Sequence, residues 1–163
     1  MAETSIAITD ADLTNPAHAA AVVELIDVLA TWPESGNPLP EDVRPTLISK
    51  LIEFNRCHDN LHILLAWEEE TAVGLAVCFR GFSTFRGAPL LNIHDFVVRD
   101  GFRGQGIGWK MLEAVESKAG DLGCCRLTLE VYHVNHAARK LYEKYGFDPG
   151  DDTTAQSFFM KLL

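Results

Sequence analysis

Residues 99–110 read RDGFRGQGIGWK and join two apolar runs of different character. The run before them, 90–98, is continuous and strand-like, whereas the run after them, 107–122, has apolar residues at helical spacing. Four glycines at this junction let the backbone adopt positive φ and approach a ligand closely. The first amides of a helix have no partners within the helix, and they carry partial positive charge. The segment therefore predicts a loop that grips a phosphate or diphosphate group.

The glycine spacing differs from the two commonest phosphate-binding patterns. A P-loop requires GxxxxGK[ST], which does not occur in the chain. A Rossmann fingerprint requires GxGxxG and an acidic residue that ends a following strand and binds a ribose. Residues 104–108 instead read GQGIG, and no acidic residue ends a following strand in that way. The spacing therefore disfavours both a P-loop nucleoside triphosphatase and a dinucleotide-binding domain.

Hydrophobic periodicity predicts one mixed α/β domain over residues 1–163, with the element order β-α-α-β-β-β-α-β-α-β. Asn15 and Pro16 are typical of a helix start, and Gly146 is typical of a helix end. Because a helical crossover joins parallel strands, the strands on either side of the third helix are predicted to be parallel. The predicted strands are 6–9, 61–67, 72–79, 90–98, 127–132 and 157–163, and the predicted helices are 16–30, 45–56, 107–122 and 135–145.

The charge of the chain is concentrated in its first half. Residues 1–80 hold 13 acidic and 4 basic side chains, whereas residues 81–163 hold 10 of each. An acidic half disfavours nucleic acid as a partner, because that binding relies on Lys and Arg to neutralise phosphates. The negative electrostatic field of the acidic half would attract cationic small molecules. An acidic surface that only aids solubility would have the same composition.

Membrane and metal features are not expected. No apolar run approaches the roughly 20 residues that a membrane span needs. The N-terminal sequence MAETS lacks a positive region followed by an apolar stretch, so we expect a cytoplasmic location and no membrane partner. The four cysteines form neither a CxxC pair nor a spaced metal set, so reduced thiols and no metal site are expected.

Two motifs in the chain carry a resemblance to a known family. Residues 103–108 read RGQGIG, and residues 135–147 read NHAARKLYEKYGF. They resemble two motifs of the GNAT superfamily of N-acetyltransferases, Arg/Gln-x-x-Gly-x-Gly/Ala and Asn-x-x-Ala-x-x-Leu-Tyr-x-x-x-Gly-Phe. The resemblance implies a single-domain GNAT fold, with a mixed, mostly antiparallel sheet, a central parallel strand pair and about four flanking helices. It also implies acetyl-coenzyme A as cosubstrate and N-acetyl transfer as the activity.

The resemblance assigns the cofactor contacts residue by residue. The backbone of Phe96, Val97 and Val98 would pair with the amides of pantetheine. Asn135 is expected to cap a helix and to touch the cofactor. Ala138 is expected to contact the cofactor as well. The amides of the glycine loop would hold the pyrophosphate, with help from the Arg103 guanidinium. The expected pyrophosphate ligands are Arg103, Gly104, Gln105, Gly106, Ile107, Gly108 and Trp109.

Tyr142 matches the family's general acid, which protonates the departing coenzyme A thiolate. A phenol with an ordinary pKa of about 10 can donate a proton to a thiolate. A core tyrosine on an amphipathic helix is the structural alternative. Tyr145 is the competing phenol, and its place beside the Gly-Phe turn predicts that it only packs.

A base must deprotonate the attacking amine, because an alkylammonium has no lone pair. His94 is the first candidate, because histidine titrates near neutrality and this one lies on the strand that borders the cofactor. A strict period of two places His94 on the face of Phe96 and Val98, and it places Asp95 on the other face. Glu130 on the neighbouring strand is the second candidate. Ordered water, which some family members use, is the third.

The surroundings of His94 resemble the diamine acetyltransferase-like branch. Residues 93–98, IHDFVV, and residues 83–85, STF, carry this likeness. That branch tends to have a Glu-Asp pair where this chain has His94 and Asp95, and the departure weighs against a polyamine substrate. We therefore expect a small primary amine as acceptor, cationic if the acidic half forms its site. By analogy with relatives, the candidates to line the acceptor pocket are Trp32, Glu34, Phe82 and Phe85.

Two other functions are consistent with the same motifs. A non-catalytic module that senses acyl-coenzyme A would bind without turnover, but a sensor has no need of the phenol at Tyr142. Transfer to a protein N-terminus or lysine would need an open groove near residues 32–40. Dimers are common among relatives, so a homodimer is one expected assembly, which the sequence leaves open.

Overall fold

The computed structural model describes residues 5–31, 38–149 and 156–162, and in the last of these ranges the side chains of Phe159 and Lys161 alone. Trp32 and Glu34 lie outside the described residues. The element order agrees with the predicted one. In chain order the elements are β1 (Ile6–Asp10), α1 (Pro16–Ala30), α2 (Leu47–His58), β2 (Leu61–Glu68), β3 (Thr71–Ser83), β4 (Ala88–Val98), α3 (Ile107–Asp121), β5 (Arg126–Tyr132), α4 (His136–Tyr145) and β6 (Gln156–Leu162).

The strands form one six-stranded sheet in the order β1-β2-β3-β4-β5-β6. All neighbouring strands are antiparallel except β4 and β5, which are parallel because α3 crosses over between them. The predicted mixed, mostly antiparallel sheet with one central parallel pair is therefore confirmed. None of the helices in the described ranges is long and apolar enough to cross a membrane.

Helix ends follow the predicted capping residues. Asn15 accepts a hydrogen bond from the Ala17 amide at 2.9 Å, with proline in the first helical position. Asn135 accepts one from the Ala138 amide at 3.2 Å, so its predicted capping role is confirmed. Gly146 caps the C-terminus of α4, and its φ of 106° is a left-handed conformation that favours glycine.

The element boundaries lie within two residues of the predicted ones, except at the end of β3. Helix α2 begins at Leu47 rather than at residue 45, because Arg44–Thr46 form a separate 3-10 turn. Strand β3 continues to Ser83, where it still pairs with Ala88 of β4. The connection between β3 and β4 is therefore only four residues long, 84–87.

Two core clusters lie on opposite sides of the sheet. We call the cluster that packs against helices α3 and α4 the α3/α4 core, and the cluster that packs against helices α1 and α2 the α1/α2 core. Alternation along the strands supplies both cores, since Ala76 belongs to the first and Leu75 to the second. Among the fully buried members of the α3/α4 core are Leu91, Met111, Leu112, Leu127, Leu129 and Phe159, and among those of the α1/α2 core are Val22, Leu25, Leu65 and Leu75.

Candidate functional site

A slot opens between β4 and β5 where their pairing stops. The two strands pair only over Leu91–Ile93 and Leu127–Leu129. Strand β4 then continues to Val98 and β5 to Tyr132 without pairing to each other. An unpaired strand edge presents backbone N–H and C=O groups to whatever lies beside it. We call this opening, between residues 94–98 and 130–132, the slot.

A β-bulge lies in β4 at the mouth of the slot. Val77 of β3 pairs with Asp95, but the next residue, Cys78, pairs with Ile93. His94 is therefore the extra residue on β4, without a counterpart on β3. A bulge of this kind bends the strand and re-aims a side chain.

The bulge shifts the alternation of β4 by one residue. Ile93 before the bulge belongs to the α3/α4 core, and Phe96 and Val98 after it pack against the same core. The ring of His94 instead contacts Phe79, which packs against the α1/α2 core. The predicted placement of His94 on the face of Phe96 and Val98 is therefore wrong, because a strict period of two does not survive an inserted residue.

Asp95 completes the bulge on the same side as His94. Its partner Val77 belongs to the α1/α2 core, and directly paired side chains share a face. Burial raises the pKa of the Asp95 carboxyl, and the charge of His94 opposes this shift. Among the described residues, no Lys or Arg forms an ion pair with Asp95. The bulge thus holds a half-buried carboxyl beside an exposed imidazole.

Glu130 flanks the slot from β5. Leu129 and Val131 point into the α3/α4 core, so Glu130 and Thr128 point to the α1/α2 side. Asn92 of β4 donates a hydrogen bond to the Thr128 hydroxyl at 3.0 Å, which ties the strands together where the slot begins. Glu130 is exposed. Both predicted base residues therefore border the slot on one side of the sheet.

Tyr142 lies on the opposite side. It is only 5% exposed, and its ring contacts Phe96, Phe147 and Phe159. Burial raises the pKa of the Tyr142 phenol well above its usual value, so the group remains protonated at any physiological pH. Tyr142 therefore carries its proton on the α3/α4 side of the sheet.

Tyr145 packs, as predicted. Its hydroxyl donates a hydrogen bond to Glu116 of α3 at 2.5 Å, and its ring meets Trp109 at a centroid distance of 4.8 Å. Lys161 of β6 pairs with the same carboxylate at 2.7 Å and lies over the Tyr145 ring. Tyr145 thus joins α3, α4 and β6.

The glycine loop has the predicted backbone character. Gly101, Gly104 and Gly106 have φ values of 85°, 78° and 80°. Helix α3 begins at Ile107, and Gly106 provides no side-chain cap. No acceptor among the described residues pairs with the amides of residues 104–109. These donors at a helix N-terminus fit an anionic phosphate group.

The side chain of Arg103 stabilises the glycine loop. Its Nε donates to the Val98 carbonyl at 2.9 Å, and its Nη1 lies 2.8 Å from Asp100 Oδ1. Gln105 adds a hydrogen bond from its side chain to the Gly101 carbonyl at 3.0 Å. The arginine of the motif therefore orders the turn through its own contacts.

Gly108 serves packing as well. A Cβ atom at this position would lie 2.9 Å from a methyl group of Leu141 and 3.8 Å from the Phe96 ring. The missing side chain lets the first turn of α3 approach α4 and the slot. Ala138 and Leu141 of α4 pack against the same core. The sequence motif alone predicts only the amide contribution of Gly108.

Several predicted residues lie away from the slot, and others were missed. Phe82 and Phe85 lie at the β3–β4 turn, 61% and 99% exposed, at the end of β4 opposite the glycine loop. This placement does not support a role for them in an acceptor pocket. The ring of Phe79 contacts both Phe54 and His94. The sequence did not indicate that Phe54 and Phe79 lie near His94, because the two residues belong to different elements. Two shallow grooves, of about 540 and 500 Å³, lie along α2 and α1 and contain none of the slot residues.

The family model for the acetyltransferase (GNAT) family matches residues 25–147. The chain belongs to this family. The match includes α2, the bulge, the glycine loop and α4. The GNAT fold expected from the two motifs is therefore confirmed.

Curated GNAT relatives match part of the chain. A bovine thialysine N-ε-acetyltransferase is 36% identical over 74 residues, which are 45% of this chain and 43% of that protein. A D-amino-acid N-acetyltransferase of Saccharomyces cerevisiae is 28% identical over 111 residues, 67% of each chain. The matches to the bovine protein and to an uncharacterised N-acetyltransferase of Bacillus subtilis span only 43% and 58% of those proteins.

Solved structures match nearly the whole chain. A Pyrococcus horikoshii protein is 27% identical, with a TM-score of 0.72 over 98% of this chain and 99% of that one. A PaiA N-acetyltransferase of Thermoplasma acidophilum, solved with coenzyme A, is 17% identical, with a TM-score of 0.73 over 98% and 99%. The second likeness concerns the fold alone.

Proposed function

We propose that the chain transfers the acetyl group of acetyl-coenzyme A to the primary amine of a small molecule, by direct attack in a ternary complex. The observation that carries this proposal is the alignment of the glycine loop, the slot and Tyr142. Unpartnered amides lie in the loop that follows β4, the unpaired edge of β4 borders the slot, and the ring of the protonated Tyr142 contacts Phe96 of the same strand. Family membership supports the identity of the cosubstrate.

The cosubstrate residues are proposed from this alignment. The amides of residues 104–109 would bind the pyrophosphate, and Arg103 would hold the turn in shape. The backbone of residues 96–98 would pair with pantetheine along the slot, with Asn135 and Ala138 on the α4 side. Acetyl-coenzyme A supplies an activated thioester, so the protein needs no acyl-enzyme on a cysteine.

Proton transfer is divided between the two sides of the sheet. An amine that enters from the α1/α2 side meets His94 first, and the imidazole accepts its proton. Glu130, across the slot, is the second candidate base, and ordered water is the third. A backbone amide near Phe96 or Val97 stabilises the oxyanion. Tyr142 then donates its proton to the leaving thiolate from the α3/α4 side.

The acceptor is a small primary amine in this proposal. By their names, the bovine and yeast relatives act on thialysine and on D-amino acids, which are small molecules with amino groups. The acidic first half of the chain favours a cationic acceptor. A cytoplasmic location and a homodimer remain expectations from the sequence.

The direct test is release of free thiol from acetyl-coenzyme A by the full chain over a panel of amines, amino acids and peptides. We expect amine-dependent release for small primary amines and its loss in Tyr142→Phe. Coenzyme A binding, measured by calorimetry, serves as the control for folding. Tight binding without turnover on any amine, and indifference to Tyr142→Phe, would favour the sensing module. Turnover on peptides alone would favour protein acetylation.

A further inference from the structure

A row of aromatic rings runs from the bulge in β4 across β3 to α2. The His94 ring meets Phe79 edge-on at a centroid distance of 5.4 Å. Phe79 meets Phe54 of α2 at 5.9 Å, again nearly perpendicular, and Phe54 meets His58 at 4.7 Å. We call these four residues the aromatic row. It starts at the proposed base and leads away from the slot.

The row is open to solvent along its length. Phe54 is 38% exposed, His58 and His94 are exposed, and Phe79 is half-buried. Scattered exposed apolar side chains are normal on a protein surface. Here, however, the rings contact one another in sequence, and one end adjoins the group proposed to accept the proton of the substrate.

The position that the amine nitrogen of the acceptor substrate must occupy determines the direction in which the rest of the substrate extends. Its amine must reach the mouth of the slot, beside His94, for the imidazole to accept a proton. A substituent directed toward α2 then passes over Phe79 and reaches Phe54. Burial of hydrocarbon against aromatic rings is favourable in itself.

We propose that the aromatic row binds the hydrocarbon tail of the acceptor, so that the preferred substrates are primary monoamines with an alkyl or arylalkyl tail. This inference rests on the proposed N-acetyltransferase activity and specifies its acceptor. Phe79 and Phe54 are the specificity-determining residues. A diamine of equal length is disfavoured, because its far end is an ammonium group, which keeps its water and therefore covers less of the Phe54 ring with hydrocarbon.

The test compares three amines that differ in one feature at a time. Ethylamine lacks the tail, hexylamine has it, and 1,6-diaminohexane has a tail that ends in a second charge. We expect kcat/KM for hexylamine to exceed that for the other two by roughly tenfold, as burial of about two methylene groups would give. 2-Phenylethylamine is expected to match hexylamine.

Two matched variants on α2 locate the effect. Phe54 and Ile52 are each 38% exposed, so either can be replaced without opening the core. Phe54→Ala is expected to abolish the advantage of hexylamine over ethylamine, whereas Ile52→Ala retains it. Coenzyme A affinity should be the same in both variants and in the wild type.

The outcomes separate the two proposals. Equal kcat/KM for all three amines, a preference for the diamine, or an unaltered preference in Phe54→Ala would overturn the assignment of the row and leave the N-acetyltransferase activity standing. No turnover on any amine would overturn the proposed function and this inference together.

Discussion

The rings of Phe96 and Tyr142 meet at a centroid distance of 6.0 Å on the α3/α4 side of the sheet, whereas His94, two residues before Phe96, turns to the other side. The β-bulge at His94 produces this separation. Tyr142, the proposed acid, and His94, the proposed base, therefore lie on opposite sides of β4, where they would serve the leaving thiolate and the entering amine at the same time.

Tyr142→Phe should lower kcat about a hundredfold or more, because general acid catalysis contributes on that order. Since burial raises the pKa of the Tyr142 phenol, its ionisation should produce no loss of rate below about pH 10. Steady-state kinetics between pH 6 and about 10 measures both effects. Tyr145→Phe is the control: it removes the hydrogen bond to Glu116 and should affect stability rather than kcat. Equal losses of kcat in the two variants would contradict the assignment.

His94→Gln should reduce kcat/KM about a hundredfold at neutral pH if the imidazole is the base. Glu130→Gln, which alters the other strand of the slot, should then change it less than threefold, a small effect on the same scale. Parallel kinetics of the two variants with one amine compares them directly. The reverse ranking would assign the base to Glu130. Small effects in both variants would assign proton acceptance to ordered water.

Gly106→Ala should weaken coenzyme A binding and destabilise the fold by about 1–2 kcal/mol, because an L-residue is strained at a φ of 80°. Gly120→Ala is a matched control within α3. Gly120 lies outside the positive-φ region, and a Cβ atom added there would meet open space, so its replacement should stabilise the helix by up to about 1 kcal/mol. Urea unfolding and calorimetric titration with coenzyme A measure the two effects. Unaltered coenzyme A affinity in Gly106→Ala would contradict the role of the loop.

Glu116 should make the stability of the domain depend on pH in the acid range. Burial raises the pKa of Glu116, but the hydrogen bonds from Lys161 and Tyr145 outweigh it and leave the pKa below the ordinary value of 4.5. A carboxyl with a lowered pKa contributes stability above its unfolded pKa and loses it as the pH falls through its folded pKa. The free energy of unfolding of the wild type should therefore fall more steeply below pH 4.5 than that of Glu116→Gln. Parallel slopes in the two proteins would contradict this coupling.

The order of the elements and the caps of the helices could be predicted because they depend on local sequence. Asn15 and Asn135 cap helices through amides only two or three residues away. Alternation and helical spacing are equally local. The glycine loop could be predicted because positive φ angles favour glycine, and three glycines of the loop have such angles.

The side of the sheet that His94 occupies could not be predicted, because it depends on how β4 pairs with β3. The bulge is a mismatch between two strands, and neither strand shows it alone. The burial of Tyr142 depends in part on Phe159, which comes from the last strand of the chain. The contact between Phe54 and Phe79 likewise joins a helix and a strand far apart in sequence. Pairwise features of this kind appear only once the fold is assembled.

A crystal structure of the full chain with coenzyme A tests the central claim most directly. We expect the diphosphate within hydrogen-bonding distance of the amides of residues 104–109, pantetheine along residues 96–98, and the sulfur between Tyr142 and the bulge at His94. A diphosphate bound elsewhere, or a sulfur remote from Tyr142, would contradict the proposed site.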